Sequence, residues 1–436
     1  MATLALLAAI VLAVLDGAIA NVALPSLAQA LRVDAAGSVW VVTAYQLALV
    51  MALLPCAALG DGLGHRRVFM AGVLVFTVAS ALCAVAPALP VLVAARFVQG
   101  LGGAAIASLG VALLRSIWPP ARIGAAIGWN AMAIALSAAA GPAVGAGILS
   151  VASWPWLFAV NLPIGVLVLV LGHALPSVPG SGRRVDAVSV MLNAGMFGAL
   201  VIGADIVAVR PLVGGGLLAV AGAGLVALLR REMPLVAPLI PLDLLRGRSF
   251  RISVIASVCC FIGQMASYVA LPFYLQHGMG LSEFGTGLAM MPWPLMVAVA
   301  APLSGRVADR VATAWLCAAG GACLGIGLAF VALWPSDGGV VPVIGFTMLA
   351  GLGFGFFQTP NNRNMLMSAS RARSGAAGGM QGTARLLGQT MGGVLMSVLF
   401  ARSGAGPAAR GGLVIAAGFA MAAAVISLLR GGRGGE

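Results

Sequence analysis

Asp16 is the only charged residue before Arg32, and it sits in the middle of an apolar run. An ionised carboxylate at that depth in a membrane segment costs at least ~3 kcal/mol and normally faces a cavity or a partner. Arg96 is similarly isolated within the apolar run 90–114. If the first and fourth apolar segments are helices running in opposite directions, each residue lies roughly 9 to 12 Å below the same end of its helix, at 1.5 Å per residue. Matched depth permits a pair. Burial disfavours an ionised carboxylate and a neighbouring guanidinium favours it, so a pair that forms and breaks can load and release a proton. A permanent pair would instead brace two helices.

Three further groups carry chemistry. Asp61 with Arg66 and Arg67, and Asp309 with Arg310, place an acid inside a basic loop. The arginines are topology signals in any case. The acids suggest more, since a carboxylate there can accept hydrogen bonds from a helix N-terminus and hold an inner gate closed. Gly141, Pro142, Gly145 and Gly147 leave one face of a helix bare, and Pro142 removes an intrahelical hydrogen bond. Such a helix can bend or pack very closely, and ordinary tight packing is an equally good reading of it. Asn21, Tyr45, Gln46, Gln264, Tyr268, Met291, Trp293, Gln358 and Gln381 are polar or soft residues within apolar segments and form the substrate-binding candidates, together with Arg385, about 15 Å into its helix. One deep acid against two deep arginines suits neutral or singly charged amphiphiles better than strongly cationic ones.

The elements that position these residues follow from composition. Among 436 residues 61% are hydrophobic and 8% charged, and the mean hydropathy is +1.08. These are the proportions of a chain dissolved in lipid. The formal charge of +13 is spread over arginines standing singly or in pairs between apolar runs, which excludes a continuous nucleic-acid-binding face. Six cysteines lie in apolar segments without CxxC or a histidine at metal spacing, and read as packing residues. His65, His173 and His277 stand at segment ends with no second ligand nearby, so neither a metal site nor a membrane-embedded enzyme is indicated. Ala18-Ile19-Ala20 mimics a leader-peptide cleavage site, but no basic region precedes it and Asp16 interrupts it, so residues 2–26 read as a span.

Cutting at charged and Pro/Gly/Ser-rich breaks predicts an all-α polytopic membrane protein of fourteen spans, near 2–26, 38–59, 68–86, 90–114, 123–149, 155–175, 187–209, 211–229, 250–275, 284–304, 311–333, 339–359, 375–400 and 411–429. With the N-terminus inside, only Arg32, Arg210, Arg402 and Arg410 among the loop arginines fall outside. Both termini are thus expected in the cytoplasm of a bacterial inner-membrane protein. Asp61 and Asp309 hold equivalent places eight helices apart, which predicts two pseudo-symmetric six-helix bundles, 1–175 and 250–436. Between them lie two inserted helices, 187–229, and a cytoplasmic loop, 230–249. Because the repeat closes without the insert, the insert is expected to tolerate change better than either bundle.

Several of these residues also form an ordered set. Leu15-Asp16 followed by Asn21-Val22-Ala23-Leu24-Pro25, the loop 57–67, Arg96-Phe97-Val98-Gln99-Gly100, Gly141-Pro142-Ala143-Val144-Gly145, and Trp154-Pro155-Trp156-Leu157-Phe158 with Asn161 and Pro163 resemble successive motifs of the fourteen-helix drug:proton antiporters of the major facilitator superfamily. Residues 305–310 and 382–388 match the second half more loosely. Ala57, Gly62 and His65 depart from the loop motif. The resemblance implies alternating access, proton coupling at Asp16, and an antiport role for the Gly141–Gly145 motif. The partners expected are small amphiphilic substrates, protons and the lipid bilayer, with no nucleic acid, cofactor or metal, for a chain acting as a monomer. A proton symporter or facilitator for a metabolite is the rival on the same fold.

Overall fold

The computed structural model describes residues 1–119, 123–177, 180, 182, 185–207, 209–233, 242–308, 310–368 and 374–430. Asp309 lies outside the described residues, as do the loop residues Arg122, Arg183, Arg184, Arg371, Arg373 and Arg433. Among the described residues fourteen helices are long and apolar enough to cross a membrane. They are α1 (Ala2–Val22), α2 (Ala35–Leu63), α3 (His65–Ala84), α4 (Leu89–Leu114), α5 (Met132–Val151), α6 (Trp156–Ala174), α7 (Ala187–Ile206), α8 (Pro211–Glu232), α9 (Arg248–Gly278), α10 (Glu283–Val307), α11 (Thr313–Leu333), α12 (Val340–Met367), α13 (Ala377–Ser403) and α14 (Ala405–Leu428). In lipid every backbone polar group must be paired internally, which an apolar segment of this length achieves only as a helix.

The fourteen spans expected from the sequence are all present, with shifted ends. The first stops at Val22, and the chain resumes as a short helix, Leu24–Ala30, with Pro25 in its first turn, where a missing N–H is harmless. The last begins at Ala405 rather than near 411, because Gly404 at φ +71° makes the turn. Arg410 is therefore inside α14, and it donates to Trp334 O at 3.2 Å and Ser336 Oγ at 2.8 Å.

The chain forms two compact units, Met1–Val33 with Trp40–Leu239, and Asp34–Val39 with Ile240–Glu436. In the first, α3 and α4 cross at glycines: a Cβ on Gly102 would meet Gly72 O and Phe76 N, each at 2.6 Å. In the second, α11 and α12 cross the same way, since a Cβ on Gly353 would meet Gly320 O at 2.6 Å and Leu324 N at 2.4 Å. Gly141 and Gly145 of α5 lie against Ala18 and Ile19 of α1, and Gly388 and Gly392 of α13 lie against Val258–Ala266 of α9 with the same four-residue spacing. Without a hydrophobic drive between helices in lipid, small residues that let backbones touch hold such bundles together. The glycine contacts therefore repeat eight helices apart.

Candidate functional site

Asp16 and Arg96 meet inside the first unit, 1% and 0% exposed. Arg96 Nη1 donates to Asp16 Oδ2 at 2.6 Å and to Gln99 Oε1 at 2.6 Å, and Nε donates to Val41 O at 3.0 Å. Its guanidinium stacks over Tyr45 at 4.4 Å and lies 5.5 Å from the Phe158 ring. The other carboxylate oxygen, Oδ1, accepts from Asn161 Nδ2 at 2.7 Å and Gln99 Nε2 at 3.0 Å. Ser80 Oγ accepts from Gln99 at 2.8 Å and donates to Phe76 O at 2.8 Å.

Local sequence explains this placement. Gln99 follows Arg96 by three residues and so shares its helix face. The Gly141–Gly145 face brings α5 onto α1 at Ala18 and Ile19, one turn beyond Asp16. Asn161 is carried in by α6. On the side where α4 begins, buried Ile19, Ala23, Leu27, Val41, Leu92 and Phe158 form one apolar cluster that keeps water from that end. Low polarity around the pair strengthens its electrostatics and raises the cost of any unmatched partner. Arg96 Nη2 and Asn161 Oδ1 are buried without a hydrogen-bond partner among the described residues, leaving one donor and one acceptor beside the carboxylate.

At the matching α11–α12 crossing of the second unit, an uncharged residue takes the place of Arg96. Arg96 lies six residues before Gly102, and the residue six before Gly353 is Thr347, buried and bonded to its own helix at Ile344 O. The second crossing thus reaches the same backbone contact with no arginine at this position.

The other sequence candidates disperse. Tyr45 is 3% exposed and belongs to the Arg96 site. Asn21 donates to Gly17 O at 2.8 Å. Gln46, Gln358, Gln381, Met291 and Arg385 are half-buried on their helices. Tyr268 and Trp293 meet edge to face at 5.2 Å within the second unit, and Trp293 Nε1 and Gln264 Oε1 are buried without a partner among the described residues. Asp61 Oδ1 is 2.9 Å from His65 Nε2, so the histidine that departs from the loop motif provides a partner for the acid. Arg66 is half-buried, and Arg67 and Arg310 are exposed.

Three participants were not foreseen in their roles. Asn161 and Gln99 were visible only as members of family-like motifs, and Ser80 carried no signal at all. Arg430, expected as a topology signal, folds back to Asn361 Oδ1 and to Cys317 Sγ at 3.7 Å.

Comparison with known proteins agrees with this fold. The Major Facilitator Superfamily model matches residues 6–393 and 252–433. The chain is 43% identical over 436 residues to the uncharacterized transporter YebQ of Escherichia coli, covering 98% of this chain and 95% of that one. It is 30% identical to the riboflavin transporter RibZ of Clostridioides difficile (89% and 85% covered) and 31% identical to the multidrug resistance protein Stp of Mycobacterium tuberculosis (89% and 73%). A crystal structure of a POT family transporter with a thioalcohol-conjugated peptide superposes with a TM-score of 0.73 at 15% identity, covering 98% of this chain and 95% of that one, a likeness of fold alone. The chain belongs to the major facilitator superfamily, as a secondary transporter of small molecules with fourteen membrane spans.

Proposed function

We propose that this transporter is a proton-coupled exporter of neutral or singly charged amphiphilic molecules, lying in a bacterial inner membrane with both termini cytoplasmic. The observation that carries the reading is the buried Asp16–Arg96 pair, and Thr347 stands in the place of Arg96 at the α11–α12 crossing. All three side chains bonded to Asp16 act as donors, which suits an anion. A protonated carboxyl needs an acceptor, so proton uptake must break one of these contacts. Rotation of the Asn161 amide would present Oδ1 in place of Nδ2 and meet that need.

Within this reading 1–175 and 250–436 are the two moving bundles, joined through 187–229 and the loop 230–249. Asp61, Arg66, Arg67, Asp309 and Arg310 guard the inner opening. The Gly141-Pro142-Gly145 face lets α1 and α5 slide while staying sealed. Gln264 and Trp293, whose buried Oε1 and Nε1 have no partner among the described residues, and Tyr268, packed on Trp293, are the strongest of the substrate contacts proposed. Kinship with a multidrug resistance protein supports export; kinship with a riboflavin transporter favours the second reading, a symporter or facilitator for a metabolite.

Flux direction separates the two. After a thermal-shift screen of neutral and singly charged amphiphiles, a hit would be loaded into proteoliposomes and a pH gradient imposed. Accumulation against its own gradient, opposite to the proton flow, is expected. Accumulation in the direction of proton flow would establish symport instead.

A further inference from the structure

Helix α2 contains Pro55, eight residues before its end. Proline has no N–H, so the carbonyl four residues earlier, that of Met51, loses its helical donor. Within lipid such a carbonyl must find another. It finds one on α7. Asn193, fully buried, donates Nδ2 to Met51 O at 2.9 Å, across 142 positions of sequence.

α2 is also held on either side of the proline, by Gly180 and Gly182 ahead of α7 and by Asp205 on α7. Beyond it, Gly182 N donates to Gly62 O at 3.2 Å, and Gly180 approaches so closely that a Cβ would meet Gly62 O at 2.1 Å. Before it, Trp40 Nε1 donates to Asp205 Oδ2 at 3.2 Å. Asn193 and Asp205 are twelve residues apart on α7, about 18 Å at helical rise. α7 is itself fixed to α8, by Gly203 and Gly214 packed against the facing helix and by the Asp186–Arg231 ion pair at 2.7 Å.

We propose that the inserted pair α7–α8 is a splint for helix α2. Asn193 replaces the hydrogen bond that Pro55 removes, and Gly180 and Gly182 hold the last turn, so that residues 56–63, Asp61 among them, point in one direction. Asn193 is a positioning residue for the inner end of α2, and the insert is part of the moving machinery rather than a spacer. The splint does not depend on proton coupling or on the substrate.

The test uses one reporter cysteine, L63C at the exposed end of α2, in the full-length protein with its six native cysteines replaced. The rate of labelling by a water-soluble maleimide then reports how freely that turn moves. N193L should raise the rate at least about threefold, because the last turns open more often. P55A gives Met51 O its own helical donor. Adding N193L to P55A should therefore leave the rate within about twofold of P55A alone, the signature of two residues coupled through one bond. Accumulation of N193L only in the P55A background would also support the splint. The proposal is overturned if N193L labels like the parent, if it raises labelling equally in both backgrounds, or if it fails to fold in both.

Discussion

Asp16 accepts hydrogen bonds from Arg96 and Gln99 on α4 and from Asn161 on α6. Each donor comes from a side chain that packing has already fixed, so the three hydrogen bonds converge on both carboxylate oxygens. A buried hydrogen bond to a charged group contributes about 1.5 to 3 kcal/mol. Asn161→Leu is therefore expected to lower the melting temperature of the purified protein and, because it also removes the amide oxygen that a protonated carboxyl would use, to alter the pH profile of transport. An unchanged pH profile beside a lowered melting temperature would reduce Asn161 to packing. The charged pair could be read from the chain because lone charges in apolar runs are conspicuous. Asn161 and Ser80 could not, since uncharged polar residues are common in membrane helices and no spacing rule links residues 145 positions apart.

At the scale of elements, glycines set the distances. Gly72 with Gly102, and Gly320 with Gly353, let two helix crossings come to backbone contact. The glycine face of α5 recurs on α13, so close packing is common to both units, whatever else the Gly-Pro motif does for antiport. The α7–α8 hairpin is clasped differently. Asp186 caps α7 through Val188 N and pairs with Arg231 on α8, and this pairing holds its carboxyl well below the usual carboxylate range. A group depressed in the folded state stabilises it above the unfolded value, and that contribution is lost only as pH falls through the lowered value. The melting temperature of Asp186→Asn should thus lie below the parent by a constant amount between about pH 5 and about pH 8, with the gap closing only in strong acid. A gap that closes already near neutral pH would contradict this. Hydropathy located all fourteen helices, because length and apolarity are properties of a segment alone. It misplaced the start of α14, where the signal was the conformation of Gly404, and it gave no hint of the Asn193 contact, which depends on a helix elsewhere in the chain.

At the scale of the molecule, the two units repeat their glycine packing but differ at the place of Arg96. Thr347 stands where the first unit has Arg96, and the bundle still forms. The sequence suggested a repeat through Asp61 and Asp309, the latter outside the described residues, whereas the packing that repeats in the structure is carried by glycines. The hydrogen-bonded shell that gives the asymmetry its chemistry required the fold. The central claim is that Asp16 carries the proton, and the direct measurement is transport by Asp16→Asn in proteoliposomes, with uphill efflux under a pH gradient and exchange between two substrate pools followed side by side. The substitution leaves a buried guanidinium unpaired, at a cost of about 3 to 5 kcal/mol, so its fold is checked by melting temperature first. Exchange that survives while gradient-driven efflux is abolished is the predicted result; efflux by Asp16→Asn that still responds fully to the pH gradient would contradict the account.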